Sequence, residues 1–315
     1  MPVTYAAIDI GSNAVRLLIK RTDRDDISKE CPQIKKLLLL RVPLRLGFDV
    51  FEKGEISPKK AENLVRLMKA YRQLMKIYEV DRYRACATSA MRDAENGARI
   101  IRKIEKETDI KIEIIPGAEE ARLVYDNHIE RNMDPTRNYL YVDVGGGSTE
   151  LNFIADGKLL HSRSFNIGTV RILTGRVQPS QWDSLHDFLK EIAAEYPDIT
   201  IIGSGGNINK LYKMAETKNK EEASFSVAEL TRIYHTLKPL SVEQRMKQYA
   251  MRADRADVII PAAEIFLCIA SITGSTRIIV PTIGVADGII DSLLPPECQK
   301  KAEASDKSDK ADKAD

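Results

Sequence analysis

Two short segments of this chain combine residue types able to hold phosphate: Asp9-Ile10-Gly11-Ser12-Asn13 and Asp143-Val144-Gly145-Gly146-Gly147-Ser148-Thr149. Each sets an acid at the end of an apolar run and follows it with glycine and small hydroxyl or amide residues. Glycine lets the backbone turn with its N–H groups exposed, and Ser, Thr and Asn add donors, so each segment could form an anion nest. Asp9 and Asp143, at the strand ends, suit a hydrated Mg²⁺, which takes a few carboxylates together with water and substrate phosphates. One such turn carries little weight, because hairpins need glycine anyway; two in a repeating context favour a ligand. A third segment, Gly203-Ser204-Gly205-Gly206-Asn207, stands between an apolar run and a helical pattern and suits a further phosphate-facing loop, with Gly205 and Gly206 at its turn. None of these is a Walker A loop, since no Gly-Lys-[Ser/Thr] follows, and Ile208 fills the third-glycine place of GxGxxG, against a dinucleotide fold.

The elements that must position these turns can be read from the period of the apolar residues. Val3 to Asp9 and Ala14 to Lys20 read as strands around the first turn, with Ile34 to Leu46 as a third. Ser57-Pro58 opens a long helix, because Ser caps well and Pro suits the first helical position. Tyr83 to Thr88 reads as a strand, Ala94 to Glu107 as a helix, Lys111 to Ile115 as a strand and Glu119 to about Glu130 as a helix. Then the order restarts. Asn138 to Val144, Glu150 to Ile154 and Lys158 to Phe165 read as strands, the last two joined by an Asp156-Gly157 turn. Helices at Gln181 to Ala194 and Ile208 to Met214 flank a strand at Ile199 to Ile202, and further helices are expected near Val227 to Leu237, Val242 to Tyr249 and Pro261 to Ile272. A final strand, Arg277 to Val280, leads to a last helix from about Val285. This is a duplicated α/β chain with a cleft between the copies.

Composition limits the function classes. The 315 residues are 43% hydrophobic and 30% charged, ordinary globular usage that suits two domains. A net charge of +2 is far from that of a duplex-coating nucleic-acid binder. Residues 1–128 carry the excess of bases and residues 129–315 an excess of acids, which suits an anionic small substrate. Cys31, Cys86, Cys268 and Cys298 are scattered without CxxC or zinc spacing, so reduced thiols in a cytoplasm are expected. No signal-peptide pattern opens the chain and no apolar run approaches the length of a membrane span, so a soluble cytoplasmic protein with no membrane partner is expected. From Gln299 the sequence reads as a charged tail with nothing to bury. His128, His161, His186 and His235 show neither metal spacing nor a nucleophile elbow and are assigned to structure or surface.

In order and spacing, AAIDIGSNAVRLLI, ATSAMRDAENG, IPGAEEARL, YVDVGGGSTEL, FNIGTVRI and GSGGNINKL resemble the exopolyphosphatase and guanosine pentaphosphate phosphohydrolase family. The resemblance implies a duplicated actin-like, sugar-kinase-like (ribonuclease H-like) ATPase fold. Domains are then expected at 1–128 and 129–298, ahead of a disordered tail at 299–315. It implies release of terminal orthophosphate from inorganic polyphosphate, or of the 5′-terminal phosphate from guanosine pentaphosphate, with Mg²⁺ (or Mn²⁺) as the cofactor. The phosphate loops map onto Gly11, Ser12 and Asn13 and onto Gly145, Gly146, Gly147, Ser148 and Thr149, with Asp9 and Asp143 toward the metal. The family's catalytic glutamate falls in Glu-Glu-Ala-Arg-Leu and aligns to Glu120, with Glu119 as the alternative.

That assignment agrees with the chemistry. Phosphoanhydride hydrolysis needs a positioned water and charge neutralisation on the transferring group, and a carboxylate at the cleft can activate the water. Arg92, just after a strand, could clamp a phosphate bidentately. Arg16 is open between a site residue and a sheet-surface residue. Lys35, Lys36, Arg41 and Arg45 are open between a basic track and the wet face of an edge strand. Arg252, Arg255 and Asp257 are open between a cleft segment and an intradomain ion pair. Longer members carry a helical carboxy-terminal region that extends the polyphosphate channel and contributes to dimerisation. The short two-domain form is expected here, with processivity on long chains in doubt and a homodimer possible. The segment Pro281 to Gly288 lacks the serine and the Arg-Glu pair common near that turn, carrying Ala286 and Asp287 instead. Two other classes remain open on the same fold: an ATP-using kinase of a small metabolite, and a non-catalytic sensor of alarmone or polyphosphate.

Overall fold

Strand β1 (Thr4–Ile10) is buried along its whole length, and its alternating side chains enter two different cores. It runs antiparallel to β2 (Val15–Thr22), which pairs with β3 (Ile34–Val42). The computed structural model describes residues 2–22, 34–125, 134–281 and 284–295. β3 ends at Val42 rather than at Leu46, because Pro43 has no N–H for the ladder and Arg45 turns through the left-handed region (φ 54°) to start α1 (Leu46–Lys53). The expected long helix is α2 (Pro58–Ile77), with proline in its first turn.

β4 (Arg82–Ala87) lies parallel to β1 and is followed by a short α3 (Ser89–Asp93) and then α4 (Gly97–Thr108), where one helix from Ala94 is expected. Only Glu113–Ile114 of the next expected strand pair, as β5, parallel to β4; α5 (Gly117–Tyr125) follows. The first sheet has the order β3-β2-β1-β4-β5.

The second half repeats the plan. β6 (Tyr139–Val144), β7 (Thr149–Ala155) and β8 (Lys158–Phe165) form an antiparallel meander, with Asp156 (φ 51°) and Gly157 (φ 67°) in the tight turn. Then come α6 (Thr169–Leu173), α7 (Pro179–Glu195), β9 (Thr200–Ser204) parallel to β6, and α8 (Gly206–Met214). The chain continues as β10 (Lys218–Asn219), β11 (Ser224–Ser226), α9 (Val227–Leu237), α10 (Val242–Tyr249), α11 (Ala253–Ala256), α12 (Ile259–Thr273), β12 (Arg277–Ile279) and α13 (Val285–Asp291). The second sheet runs β10-β11-β12-β9-β6-β7-β8. Its equivalents of β1 to β5 are β6, β7, β8, β9 and β12, so the duplicated α/β fold expected from the sequence is the one found. The stretch Ala253–Thr273 is long and apolar enough to cross a membrane, yet 61% of it is buried inside the protein, and α12 is the central helix of the larger core.

Two helices are exchanged between the lobes. α5 follows the first sheet but packs on β7 and β8, whereas α13 follows the second sheet but buries Ala286, Ile289 and Ile290 with Tyr5, Ala7 and Leu18 of the first. They cross closely enough that a Cβ on Gly288 would lie 1.7 Å from the Leu123 carbonyl oxygen. α13, which follows residue 128 in sequence, thus buries most of its apolar face with the first sheet, while Val285 also packs against the cluster that holds Tyr139 and Tyr141 of the second. The same exchange carries Glu120 from the first half of the sequence onto the second sheet. The tail from Gln299, the stretch beyond Tyr125 toward Glu130, His128, Cys31 and Cys298 lie outside the described residues.

Candidate active site

The carboxyl ends of β1 and β6 meet in one cavity of about 260 Å³ between the lobes, where open parallel sheets place ligands. Asp9 ends β1 and Asp143 ends β6, both nearly fully buried. The registers of the two hairpins match: Asp9 lies opposite Arg16 and Asp143 opposite Glu150. The duplication thus puts a cation in one copy where the other has an acid. Arg16 pairs with Asp9 at 2.5 Å and lines the cavity, so its side chain faces the cleft rather than the outer surface of the sheet.

Gly11, Ser12 and Asn13 line the cavity from the first loop, Gly145, Gly146 and Ser148 from the second, Gly205 and Gly206 from the third. The loops are in contact across the lobes: a Cβ on Gly146 would sit 3.0 Å from the Ser12 Cβ, and one on Gly147 would sit 2.3 Å from the Ser89 Oγ. Ser12 and Ser89 hydroxyls are themselves 2.8 Å apart. Two expected ligands in this loop do not reach the cavity. Gly147 is wedged against Phe51, Ser12 and Ser89, and Thr149 turns inward to donate to the Ile167 carbonyl at 2.6 Å. Arg92 is a third correction in its contacts alone, because its charge still acts on Glu120 and Glu150. Its guanidinium donates to the Ile115 carbonyl at 3.0 Å, and it is absent from the cavity lining among the described residues.

The two candidate glutamates separate cleanly. Glu119 is paired with Arg84 on the outside of α5 and is partly exposed. Glu120, on the next position of the same helix, is buried and lines the cavity, and its Oε2 has no hydrogen-bond partner. Asn152 of β7 holds that turn of α5 by donating to the Ala121 carbonyl at 2.9 Å. Burial raises the Glu120 carboxyl well above its ordinary range, and the charges of Glu150, Asp9 and Asp143 raise it further, opposed by Arg92. Burial and Asp143 also push Glu150 up to about 8, although the Ser148 and Ser164 hydroxyls donate to it. Asp143 is pushed up to about 6, chiefly by burial, with Arg16 opposing.

The sequence reading did not single out Glu150 as a site residue. Its signal was present in the spacing, since Glu150 follows Asp143 at the interval by which Arg16 follows Asp9. Arg255 is also a cavity residue: it contacts the Asn207 side chain and lies close over Gly206. Burial, then repulsion from Arg41 and Arg16, lowers it to about 10. Arg41 lines the cavity and pairs with Asp254, and Arg45 pairs with Asp257, so these two β3-side cations bind the second lobe rather than forming a free track. His161, His186 and His235 sit against aromatic rings away from the cavity.

Among the described residues no three acids, histidines or cysteines converge into a ready-made metal cage. The donor set nonetheless fits a hard divalent cation. Asp143, Glu120 and Glu150 are buried carboxylates whose proton affinity is raised first by burial and then by neighbouring acids, Glu120 by Glu150, Asp9 and Asp143, Glu150 by Asp143, and Asp143 by Asp9; one Glu120 oxygen is unpartnered. Mg²⁺ needs only one or two carboxylates beside water and phosphate oxygens.

The match to known proteins is unequivocal in family. The model of the Ppx/GppA phosphatase family matches residues 27–297. The chain belongs to the Ppx/GppA phosphatase family. A solved family member from Aquifex aeolicus is similar to it, with 26% identity and a TM-score of 0.71 over 93% of this chain and 98% of that one. An exopolyphosphatase from Cytophaga hutchinsonii shares the fold, with a TM-score of 0.78 at 22% identity over 92% and 97%. Among curated relatives, a bifunctional 3-dehydroquinate synthase/phosphatase from Fusobacterium nucleatum is 34% identical over 53% of this chain. A guanosine-5′-triphosphate,3′-diphosphate pyrophosphatase from Photobacterium profundum is 24% identical over 80% of it. The matched region spans a quarter of the first relative's length and about half of the second's. Membership makes the chain a Ppx/GppA phosphatase family protein whose substrate is left to the chemistry of its own cavity.

Proposed function

We propose that this protein is an exopolyphosphatase that hydrolyses the terminal phosphoanhydride of inorganic polyphosphate. The observation that carries the reading is the meeting of the Glu120 carboxyl, one oxygen of which has no hydrogen-bond partner, with three glycine loops and the Arg16, Arg41 and Arg255 cations in one cavity. In this reading the loop amides and the cations hold the terminal phosphates, while Glu120 orients a water toward the end phosphorus. The water oxygen bonds to that phosphorus, the bridging P–O bond breaks, and the bond's electron pair leaves on the shortened chain. The water proton passes to Glu120 and leaves with solvent. Mg²⁺, held by Asp143 with Glu150 or Asp9, would supply charge neutralisation on the phosphate oxygens. Burial and the charges of Glu150, Asp9 and Asp143 raise the proton affinity of the Glu120 carboxyl, which suits it to take the water proton.

Guanosine pentaphosphate is the second reading, supported by the name of the Photobacterium relative. The lining favours the inorganic chain, because none of the described cavity side chains is aromatic while three are guanidinium cations suited to phosphate oxygens. A homodimer and a cytoplasmic location fit the reading. Orthophosphate release measured side by side from polyphosphates of several lengths, guanosine pentaphosphate and ATP tests it. Release fastest from polyphosphate without an acceptor is the expected result. A requirement for an acceptor would make the protein a kinase, and no release from any of the three would make it a sensor.

A further inference from the structure

The second glycine loop has a carbonyl side as well as an amide side, and the carbonyl side is fully engaged. The Gly145 carbonyl accepts from the Thr169 N–H at 3.0 Å, the Gly146 carbonyl from the Val170 N–H at 2.8 Å and the Arg171 N–H at 3.1 Å. The Gly147 carbonyl accepts from Arg171 Nε at 2.9 Å. In a trans peptide the C=O and the following N–H point in opposite directions, and no peptide here is cis. Three carbonyls drawn to the start of α6 therefore turn the amides of Gly146, Gly147 and Ser148 the other way. None of those three amides donates to a protein acceptor among the described residues.

The first two carbonyls are held by backbone groups that any sequence would supply. The third depends on one side chain. Arg171 is mostly buried, donates its Nη2 to Asp93 of the first lobe at 2.6 Å, and stacks its guanidinium 4.0 Å over the Phe51 ring. It does not line the cavity. We propose that Arg171 is the positioning residue that, through its contact with the Gly147 carbonyl, fixes the Gly147–Ser148 peptide so that the second loop presents its amides to phosphate. This rests on the reading of the cavity as a phosphate site.

A guanidinium is needed because one planar group must donate in two directions and stack at the same time. A lysine keeps the charge and can still reach one acceptor, but lacks the fork. Arg171→Lys thus separates positioning from electrostatic attraction, which both side chains supply equally.

The test is calorimetric titration of the full chain with inorganic tripolyphosphate and Mg²⁺, in a Glu120→Gln background that slows turnover, alongside thermal melting. Arg171→Lys is expected to melt within a few degrees of its parent and to bind tripolyphosphate at least tenfold more weakly. Asp93→Asn, which leaves the Gly147 contact in place, is expected to bind within about threefold of the parent. Equal binding by the parent and Arg171→Lys overturns the inference and leaves the phosphate-site reading standing. An Asp93→Asn loss as large as that of Arg171→Lys also overturns it, making the group a lobe latch. Absence of tripolyphosphate binding in the parent overturns both.

Discussion

Removing one buried acid from the cavity is expected to stabilise the metal-free protein, and only at high pH. Glu150 is pushed up to about 8 from an ordinary 4.5, chiefly by burial and by Asp143. The folded state therefore holds a proton that the unfolded chain releases, and the stability it brings is lost as pH rises from about 4.5 through about 8. Each pKa unit corresponds to about 1.4 kcal/mol, so ionising Glu150 in the fold costs on the order of 3 to 5 kcal/mol. Glu150→Gln keeps the shape and has no proton to lose. At pH 5 its stability is expected to lie near that of the wild type, offset only by the changed contact to Ser164. At pH 9 it is expected to be the more stable, by a melting shift on the order of 5 to 10 °C. The assay is thermal or urea unfolding in EDTA from pH 5 to 9. Parallel pH dependence in wild type and variant would refute the reasoning, because it would mean that Glu150 titrates normally and the carboxylates do not share a desolvated site.

Mg²⁺ is expected to raise the melting temperature of the wild type at pH 8 more than that of Glu150→Gln, as read by differential scanning fluorimetry; equal shifts would remove Glu150 from the cation's surroundings. Glu119→Gln is expected to retain turnover within about threefold, since its partner is Arg84 outside the cavity; a hundredfold loss would move the base to Glu119. Gly147→Ala places a Cβ 2.7 Å from the Phe51 ring and 2.9 Å from the Ser12 Oγ. Overpacking of this kind costs roughly 1 to 3 kcal/mol, and the expected outcome is a lower melting temperature with KM raised at least tenfold.

The repeat was legible because both hairpins obey the same local rule, an apolar strand ending in Asp before a glycine turn, and strand period survives in a single sequence. Helix limits were less so. Ala94 to Glu107 has one apolar stripe, but Ser89–Asp93 forms its own short helix because the chain must turn at Ala94, an extended residue. The site was legible where function sits on the turn itself, as at Gly11, Ser12, Gly145, Gly146 and Ser148. It was illegible where the outcome depended on which way a side chain faces after lobes are packed. Arg92 and Thr149 have the right types at the right intervals, yet each finds a backbone carbonyl nearer than the cavity. The resemblance already favours Glu120 over Glu119, but that Glu120 alone of the two faces the cavity depends on the exchanged helix α5, whose inner face packs on β7 and β8 later in the chain. The packing of α13 on the first sheet follows from no local signal at all.

The central claim is that Glu120 activates the water in a cavity that binds polyphosphate. Its most direct measurement is orthophosphate release from inorganic polyphosphate by the wild type and by Glu120→Gln, with binding of the substrate followed in parallel. Loss of one general base is worth about 10² to 10⁴ in rate. The expected result is turnover lowered at least a hundredfold with binding within about threefold of wild type, and near-normal release by Glu120→Gln would contradict the account.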